Sequence, residues 1–346
     1  MIRWLKFKLD LNSGLNKLLA IAGILALVFI TSFFIWWQSD GIEINKDEKS
    51  EIIKNDFPKS LVTGLPCEHT DKRPLAVMFA SDPITRPLSG ISQADIVFEM
   101  PVTPGGVTRM MAVYQCESPI EIGSIRSARE DFIPLAASLG TVYIHWGGER
   151  EALKKLDVHI IDNIDAMIYE TKYFYRKAGI KQPHNGFASF EKLWDGVEDL
   201  KYGTDNLFDG YLHTDKKSTK NLNNLSDTVI INYPFPFNVA WAYDRNKNIY
   251  QRSRGDKPEL DRNTNEQVSA GVVAVMETSS KYISKDYINV NVNGGGDLTI
   301  YQNGTKMPGQ WKKDPNQLGS KLYFYDSDGK EIELMPGKIW VEIIIN

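Results

Sequence analysis

The chain lacks most of what marks a specialised fold. Of its 346 residues only Cys67 and Cys116 are cysteine, which excludes a disulfide scaffold and a cysteine-rich zinc module. Neither sign of charge dominates: 40 Lys and Arg stand against 44 Asp and Glu, a net charge of −4. Without a global basic field, nucleic acid is not expected as a partner. There is no internal repeat, no collagen-like period and only one long apolar run, so the chain is not fibrous, disordered or polytopic in a membrane. Local catalytic signatures are missing too: no HExxH, no GxSxG, no Walker loop and no CxxC. Any chemistry must come from residues that the fold assembles.

The one long apolar run is Leu18–Trp37, which has no charge and only Thr31 and Ser32 as polar side chains. At 1.5 Å per helical residue it matches a bilayer core of about 30 Å. Arg3, Lys6, Lys8 and Lys17 precede it against a single Asp10, and Asp40 and Glu43 follow it. These close flanks favour a cytoplasmic N-terminus, although Lys46, Lys49 and Lys54 weaken the contrast farther out. Trp36 and Trp37 suit the outer interface. A cleaved signal peptide would end in small residues, and a core helix would keep a polar face; the run has neither. The expectation is a single-pass membrane protein: residues 1–17 a cytoplasmic tail, 18–37 a transmembrane helix, 38–60 a charged stalk, and the bulk extracytoplasmic.

Beyond the stalk the pattern divides. Ala76–Ala80, Ala94–Glu99, Thr108–Gln115 and Thr141–Trp146 read as strands, and Gly105-Gly106 as a hairpin turn between the second and third. Ser127–Leu139 and Glu149–Leu156 carry helical spacing. Alternating strands and helices predict an α/β domain over 61–212. His213–Thr228 is polar and aperiodic, a linker. Over 229–346 short β-type runs alternate with turn signals (Asn293–Gly296, Asn303-Gly304, Asp328-Gly329, Pro336-Gly337), which predicts a small all-β sandwich or barrel. The fold class is therefore α+β in two domains behind a transmembrane helix.

Four groups of residues could carry chemistry. Arg126 and Arg129 lie three apart where a strand-like run gives way to a helix; on a helix start both guanidinium groups would face one side and bind phosphate or carboxylate oxygens. The competing reading pairs them with Glu99, Glu130 or Asp131. His145 ends a strand before Gly147-Gly148, and His184-Asn185 follows Pro183 in a loop, so both histidines stand where side chains can reach a ligand; packed, hydrogen-bonded histidines would look the same. Asp95 and Glu99 share one strand face and could hold a divalent ion such as Mg²⁺, or form a solvated face. Cys67 and Cys116 are a disulfide or two buried thiols, and both readings stand.

Several stretches together resemble the YerB family of extracytoplasmic proteins, whose domain is of unknown function (DUF3048). They include Gln93-Ala94-Asp95-Ile96-Val97-Phe98-Glu99, Gly106-Val107-Thr108-Arg109, Ile122-Gly123-Ser124-Ile125-Arg126-Ser127-Ala128-Arg129, His145-Trp146-Gly147-Gly148 and Pro183-His184-Asn185. In the second domain Trp241-Ala242-Tyr243-Asp244, Gly309-Gln310-Trp311-Lys312 and Gly337-Lys338-Ile339-Trp340 continue the series. The resemblance covers roughly residues 60–346 and implies a two-domain envelope protein with no established activity. Many relatives look like lipoproteins; this chain has no cysteine before Cys67, so the apolar run would replace the lipid. The first domain also loosely resembles the LytR-CpsA-Psr phosphotransferases, although Arg126 is followed by Ser127 where those proteins have an Arg-Asp pair.

Arg109, Arg126, Arg129, His145, His184 and Asn185 are thus expected to form a ligand-binding set, with Arg126, Arg129, His145 and His184 lining one pocket. The expected function is a membrane-anchored binding or scaffold module for an anionic cell-wall or lipid-linked ligand, or for a protein partner, with no cofactor required. The alternative is a phosphotransferase on pyrophosphate-linked polyprenyl substrates, with Asp95 and Glu99 as metal ligands.

Overall fold

The computed structural model describes residues 22, 25–26, 28–33, 56–214 and 228–346. It divides into two units, 1–56 and 57–346. In the first unit the described residues 22, 25–26 and 28–33 are helical, with Leu25, Phe29 and Ile30 exposed. Most of the expected span 18–37 and of the stalk 38–60 lies outside the described residues, as does most of the linker; the end of the expected stalk, 57–60, instead belongs to the second unit, with Ser60 buried. Among the described residues no helix is long and apolar enough to cross a membrane.

The second unit is built around continuous apolar strands. β1 (Leu75–Ala80) and β2 (Ile96–Pro101) are buried along their whole length, as is β3 (Thr108–Tyr114). Runs of this kind need cover on both faces. The turn between β2 and β3 ends at Gly106, at φ 76°; a Cβ there would lie 2.4 Å from Pro234 Cγ, so glycine meets both the backbone and the packing requirement. Short strands follow: β4 (Ile122–Gly123), β5 (Val142–His145), β6 (Asn163–Asp165), β7 (Phe174–Arg176) and β8 (Gly186–Ala188). The second half contributes β9 (Thr228–Ile231), β10 (Val239–Asp244), β11 (Ile249–Arg254), β12 (Lys257–Pro258), β13 (Ser269–Ala270), β14 (Val272–Thr278), β15 (Ser280–Tyr282), β16 (Ile288–Val290), β17 (Gly294–Gln302), β18 (Thr305–Lys313), β19 (Tyr323–Asp326) and β20 (Ile339–Ile345).

Ten of these strands form one sheet in the order β19-β18-β17-β14-β20-β2-β3-β1-β5-β6. The two halves of the chain join where β20 lies parallel to β2 on one side and to β14 on the other. β20 reads Ile-Trp-Val-Glu-Ile-Ile-Ile, and its first five residues are buried; so apolar a strand satisfies its backbone and side chains only inside a sheet. The expected α/β and all-β regions are both present, but they share this sheet.

One face of the sheet packs Met78, Phe98 and Met111 against the helices α1 (Ile133–Ser138) and α2 (Arg150–Asp157). The other packs Phe79, Val97 and Trp340 with Trp241 and Tyr250 from a second sheet, β12-β11-β10-β9 with β13 beside β11. The helices α3 (Ala166–Tyr173) and α4 (Phe190–Asp199) add Tyr173, Leu193 and Val197 to that core. Cys67 and Cys116 form a disulfide, with Cα atoms 5.1 Å apart, that ties the segment before β1 to the end of β3.

Two local expectations change. Asn293–Gly296 is not a hairpin turn: Gly294, Gly295 and Gly296 lie in β17 opposite Lys313, Lys312 and Trp311. A Cβ on Gly296 would meet Glu277 O at 2.6 Å and Trp311 Nε1 at 2.7 Å, so the glycine makes room for an indole. The helix expected over 127–139 is confined to 133–138 behind a short 3-10 turn at Glu130–Phe132.

Candidate anion site

β1, β2 and β5 run parallel to one another, and β3 runs against β1 and β2 with Arg109 opposite both Ala80 and Met100. The carboxyl ends of three strands and the start of β3 therefore share one edge, where α/β sheets gather their sites. Asp82 stands two residues past β1. Across this edge runs the segment 123–129. Ala80 N donates to Ser124 O at 3.1 Å, Arg126 N to Met78 O at 2.9 Å, and Ala128 N to Gly147 O at 2.9 Å. Arg126 lies on irregular chain laid over strand ends, and Arg129, with extended φ −131° and ψ 145°, caps the 3-10 turn Glu130–Phe132 that leads into α1, so the two arginines do not share one helix face.

Three arginines meet there. Arg109 and Arg129 are only 5% and 7% exposed, so their charges are nearly sealed in. Arg109 Nη1 bonds Thr108 O at 2.9 Å and Asp82 Oδ2 at 3.2 Å. Arg126 Nη1 donates to Pro183 O at 3.3 Å. Arg129 Nη1 donates to Ala128 O at 2.9 Å, and its guanidinium lies over the Tyr287 ring, 5.0 Å from the centroid. His184 Nδ1 is 4.0 Å from Asp82 Oδ2, and the His184 carbonyl accepts from Ser124 Oγ at 2.6 Å.

The polar capacity of this group is largely unspent. Each arginine commits Nη1 to a protein oxygen, while no Nη2 donates to any described residue. Arg109 Nε, Arg126 Nε, Arg129 Nε and His184 Nδ1 are buried without a partner. Such atoms are costly unless something binds them. Electrostatics agree. Burial lowers the Arg109 pKa to about 10; Asp82 opposes the shift, and Arg126 and Arg129 add to it. Arg126 is lowered by burial and by Arg129, again against Asp82. Burial, then Arg126, lowers His184, while Asp82 opposes. Arg109 and Arg126 share the single carboxylate of Asp82, while Arg129 interacts with Asp131 and Glu149; the excess positive charge of the site lies at Arg109 and Arg126.

The other sequence-derived candidates lie elsewhere. His145 does not join the cluster: it is fully buried, with Nδ1 2.8 Å from Gly147 O and Nε2 3.1 Å from Asn163 Oδ1. Both ring nitrogens face oxygens that hold the loop after β5. Asn185 Oδ1 accepts from Arg176 Nη1 at 3.0 Å, so its side chain fixes the loop carrying His184. Asp95 Oδ2 accepts from Gln115 N at 2.7 Å and Cys116 N at 3.1 Å, and burial raises its pKa to about 6. Glu99 sits in a second charged cluster. Asp95 and Glu99 therefore do not form a metal pair, and no group of three potential ligands that could hold a metal occurs among the described residues. Asp82 and Tyr287 were not anticipated; Asp82 was visible only as the turn residue before Pro83.

The second cluster has the opposite character. Glu99 and Glu342 lie side by side on β2 and β20, a repulsive arrangement unless cations intervene. Arg252 and Arg254, two apart on β11, supply them. Arg252 Nη2 lies 2.5 Å from Glu99 Oε2 and 3.1 Å from Glu342 Oε1. Arg254 Nη1 lies 2.7 Å from Glu99 Oε1, and its Nε 3.1 Å from Glu259 Oε1. Arg252 also pairs with Glu259. Trp241 Nε1 donates to Glu342 Oε1 at 3.0 Å, and the Trp340 ring stacks 4.1 Å from the Arg252 guanidinium. Burial, then the neighbouring Glu99, raises Glu342 to about 7 against the pull of Arg252.

Comparison with known proteins fits this layout. Residues 62–203 match the model of the N-terminal domain of a protein family of unknown function, DUF3048, and residues 229–341 match its C-terminal domain. The chain belongs to the DUF3048 family. It is 29% identical over 293 residues to YerB of Bacillus subtilis (strain 168), whose name proposes a lipoprotein, across 83% of this chain and 86% of that one. The crystal structure of Bacillus subtilis YerB superposes with a TM-score of 0.76 at 28% identity, covering 84% of this chain and 97% of that one. In DUF3048 terms the cluster draws Asp82, Arg109, Arg126, Arg129 and His184 from the N-terminal domain and Tyr287 from the C-terminal one.

Proposed function

We propose that the chain is a cell-envelope protein that stands outside the membrane, anchored through Leu18–Trp37, and captures an anionic ligand. The observation that carries this reading is the cluster of Arg109, Arg126 and Arg129. Arg109 and Arg126 share the single carboxylate of Asp82 beside Arg129; Arg109 and Arg129 are nearly desolvated, Arg126 is half-buried, and each guanidinium keeps an Nη2 that donates to no described residue. Planar forks of this kind match phosphate and carboxylate oxygens. The Cys67–Cys116 disulfide suits an oxidising compartment, and a relative named for a lipid anchor suits attachment to a membrane.

Binding is favoured over phosphotransfer because the carboxylates on which the enzymatic alternative relies are engaged. Asp95 holds backbone amides and Glu99 holds arginines. Isothermal titration of the full chain in detergent micelles with inorganic phosphate, pyrophosphate and citrate tests the reading. At least one anion should bind, and Arg126→Ala should weaken it by about tenfold or more. If none of the three binds the unaltered chain, the reading fails.

A further inference from the structure

An anion site gains affinity from every cation and loses it from every carboxylate, yet this one retains Asp82. The carboxylate is central: its Oδ2 bonds Arg109 Nη1 at 3.2 Å and lies 4.0 Å from His184 Nδ1. It acts on the charges of Arg109, Arg126 and His184 alike. Its Oδ1 accepts no hydrogen bond from any described residue, and the side chain stays 23% exposed, within reach of a ligand. Arg109 spends only Nη1 on the carboxylate, which leaves its Nη2, with Arg126 and Arg129, for the ligand.

A carboxylate oxygen can only accept. Set against a fully deprotonated oxyanion, it forces lone pairs together and weakens binding; set against an oxyanion that still carries a proton, it accepts a charge-assisted hydrogen bond. Sulfate and phosphodiesters have no such proton near neutrality. A terminal phosphate does, because its second ionisation falls near pH 6. We infer, building on the anion-binding reading, that Asp82 is the specificity-determining residue of the site, and that the ligand class is a terminal phosphate group, free or on a lipid headgroup, bound by Arg109, Arg126 and Arg129 with its remaining proton donated to Asp82. Asp82 rejects the competitors by leaving their lone pairs opposed, a repulsive element as specific as any attractive one.

The test uses the full chain in lipid nanodiscs near pH 6.5, titrated with inorganic phosphate and with sulfate. In parallel, nanodiscs carrying phosphatidic acid, a terminal phosphate, are compared with nanodiscs carrying phosphatidylglycerol, a phosphodiester. Phosphate should bind at least about tenfold more tightly than sulfate, and phosphatidic acid should compete with phosphate where phosphatidylglycerol does not if the source is a lipid. Phosphate binding without competition by phosphatidic acid assigns a soluble source and keeps the inference. Asp82→Asn should bring sulfate to within about threefold of phosphate, since the amide can donate to a bare oxyanion. Equal binding of sulfate and phosphate by the unaltered chain overturns the inference whether or not the variant folds, and so does a selectivity that Asp82→Asn leaves unmoved. In both cases anions still bind and the anion-binding reading survives; only the absence of all binding removes both.

Discussion

Arg252 and Arg254 face three carboxylates, Glu99, Glu259 and Glu342; Arg109 and Arg126 share one, Asp82, beside Arg129, which interacts with Asp131 and Glu149. Both groups are buried in the same folded unit, and β3 touches both. Thr108 Oγ1 donates to Glu99 Oε1 at 2.5 Å, while the next residue, Arg109, reaches Asp82. In the first group Arg252 and Arg254, with Arg86 beside them, match the three acids, aromatic rings close the remaining sides, and the pairing side chains are sealed from solvent. Each cluster leaves buried atoms without a partner (Arg252 Nε and Glu342 Oε2 in the first; Arg109 Nε, Arg126 Nε and Arg129 Nε in the second), but in the second Arg109 and Arg126 have only Asp82 to share. A buried arginine balanced by carboxylates welds two sheets; a buried arginine without that balance keeps affinity for something brought from outside.

The contrast can be broken by mutation, beginning with the balanced cluster. Arg252→Ala leaves Glu99, Glu259 and Glu342 sharing one arginine in a dry interface and should destabilise the fold by about 3–5 kcal/mol, read as a large drop in the unfolding midpoint. Cys67→Ser with Cys116→Ser should lower stability by about 2–4 kcal/mol, and reductant should reproduce the loss in the unaltered chain. Glu342 tests the balance by pH. Its native pKa of about 7 lies above the ordinary 4.5, so the folded state holds this proton more tightly than the unfolded one. Stability from this group is full below about pH 4.5 and is lost as pH rises toward 7. Glu342→Gln should therefore be more stable than the unaltered chain at pH 8 by about 1–3 kcal/mol, with the gap closing by pH 5, as chemical denaturation at each pH would show. The smallest effect belongs to the open cluster: Arg126→Ala removes one of three like charges and should change stability by no more than about 1 kcal/mol while weakening anion binding by about tenfold or more. A collapse of the fold in that variant would place Arg126 with the structural arginines and erase the distinction.

Much of the architecture was legible locally. β1, β2, β3 and β5 are continuous apolar runs, and Asn303-Gly304 is the hairpin turn of β17 and β18, with φ of 55° and 68°. What escaped was non-local. β11 reads Ile-Tyr-Gln-Arg-Ser-Arg and has no apolar alternation, because its inward face carries the arginines that Glu99 and Glu342 require. The register that sets those glutamates side by side joins residues 96–99 to 339–342 and leaves no trace in either segment. At the candidate site Arg109, Arg126, Arg129 and His184 were recognised, and they do come together. His145 was misjudged because a strand-end histidine before two glycines looks the same whether it faces a ligand or, as here, the carbonyl of Gly147. Asp82 was missed because Asp-Pro after a strand is ordinary turn chemistry.

The central claim is that Arg109, Arg126 and Arg129 hold an anion together, and diffraction tests it most directly. Crystals of the protein soaked near pH 6.5 in arsenate, a tetrahedral oxyanion that keeps a proton as phosphate does and that scatters anomalously, should show a peak within hydrogen-bond distance of at least two of the three free Nη2 atoms, about 2.7–2.9 Å. A saturating soak that leaves this place empty, with the three guanidinium groups bonded to water alone, would contradict the account.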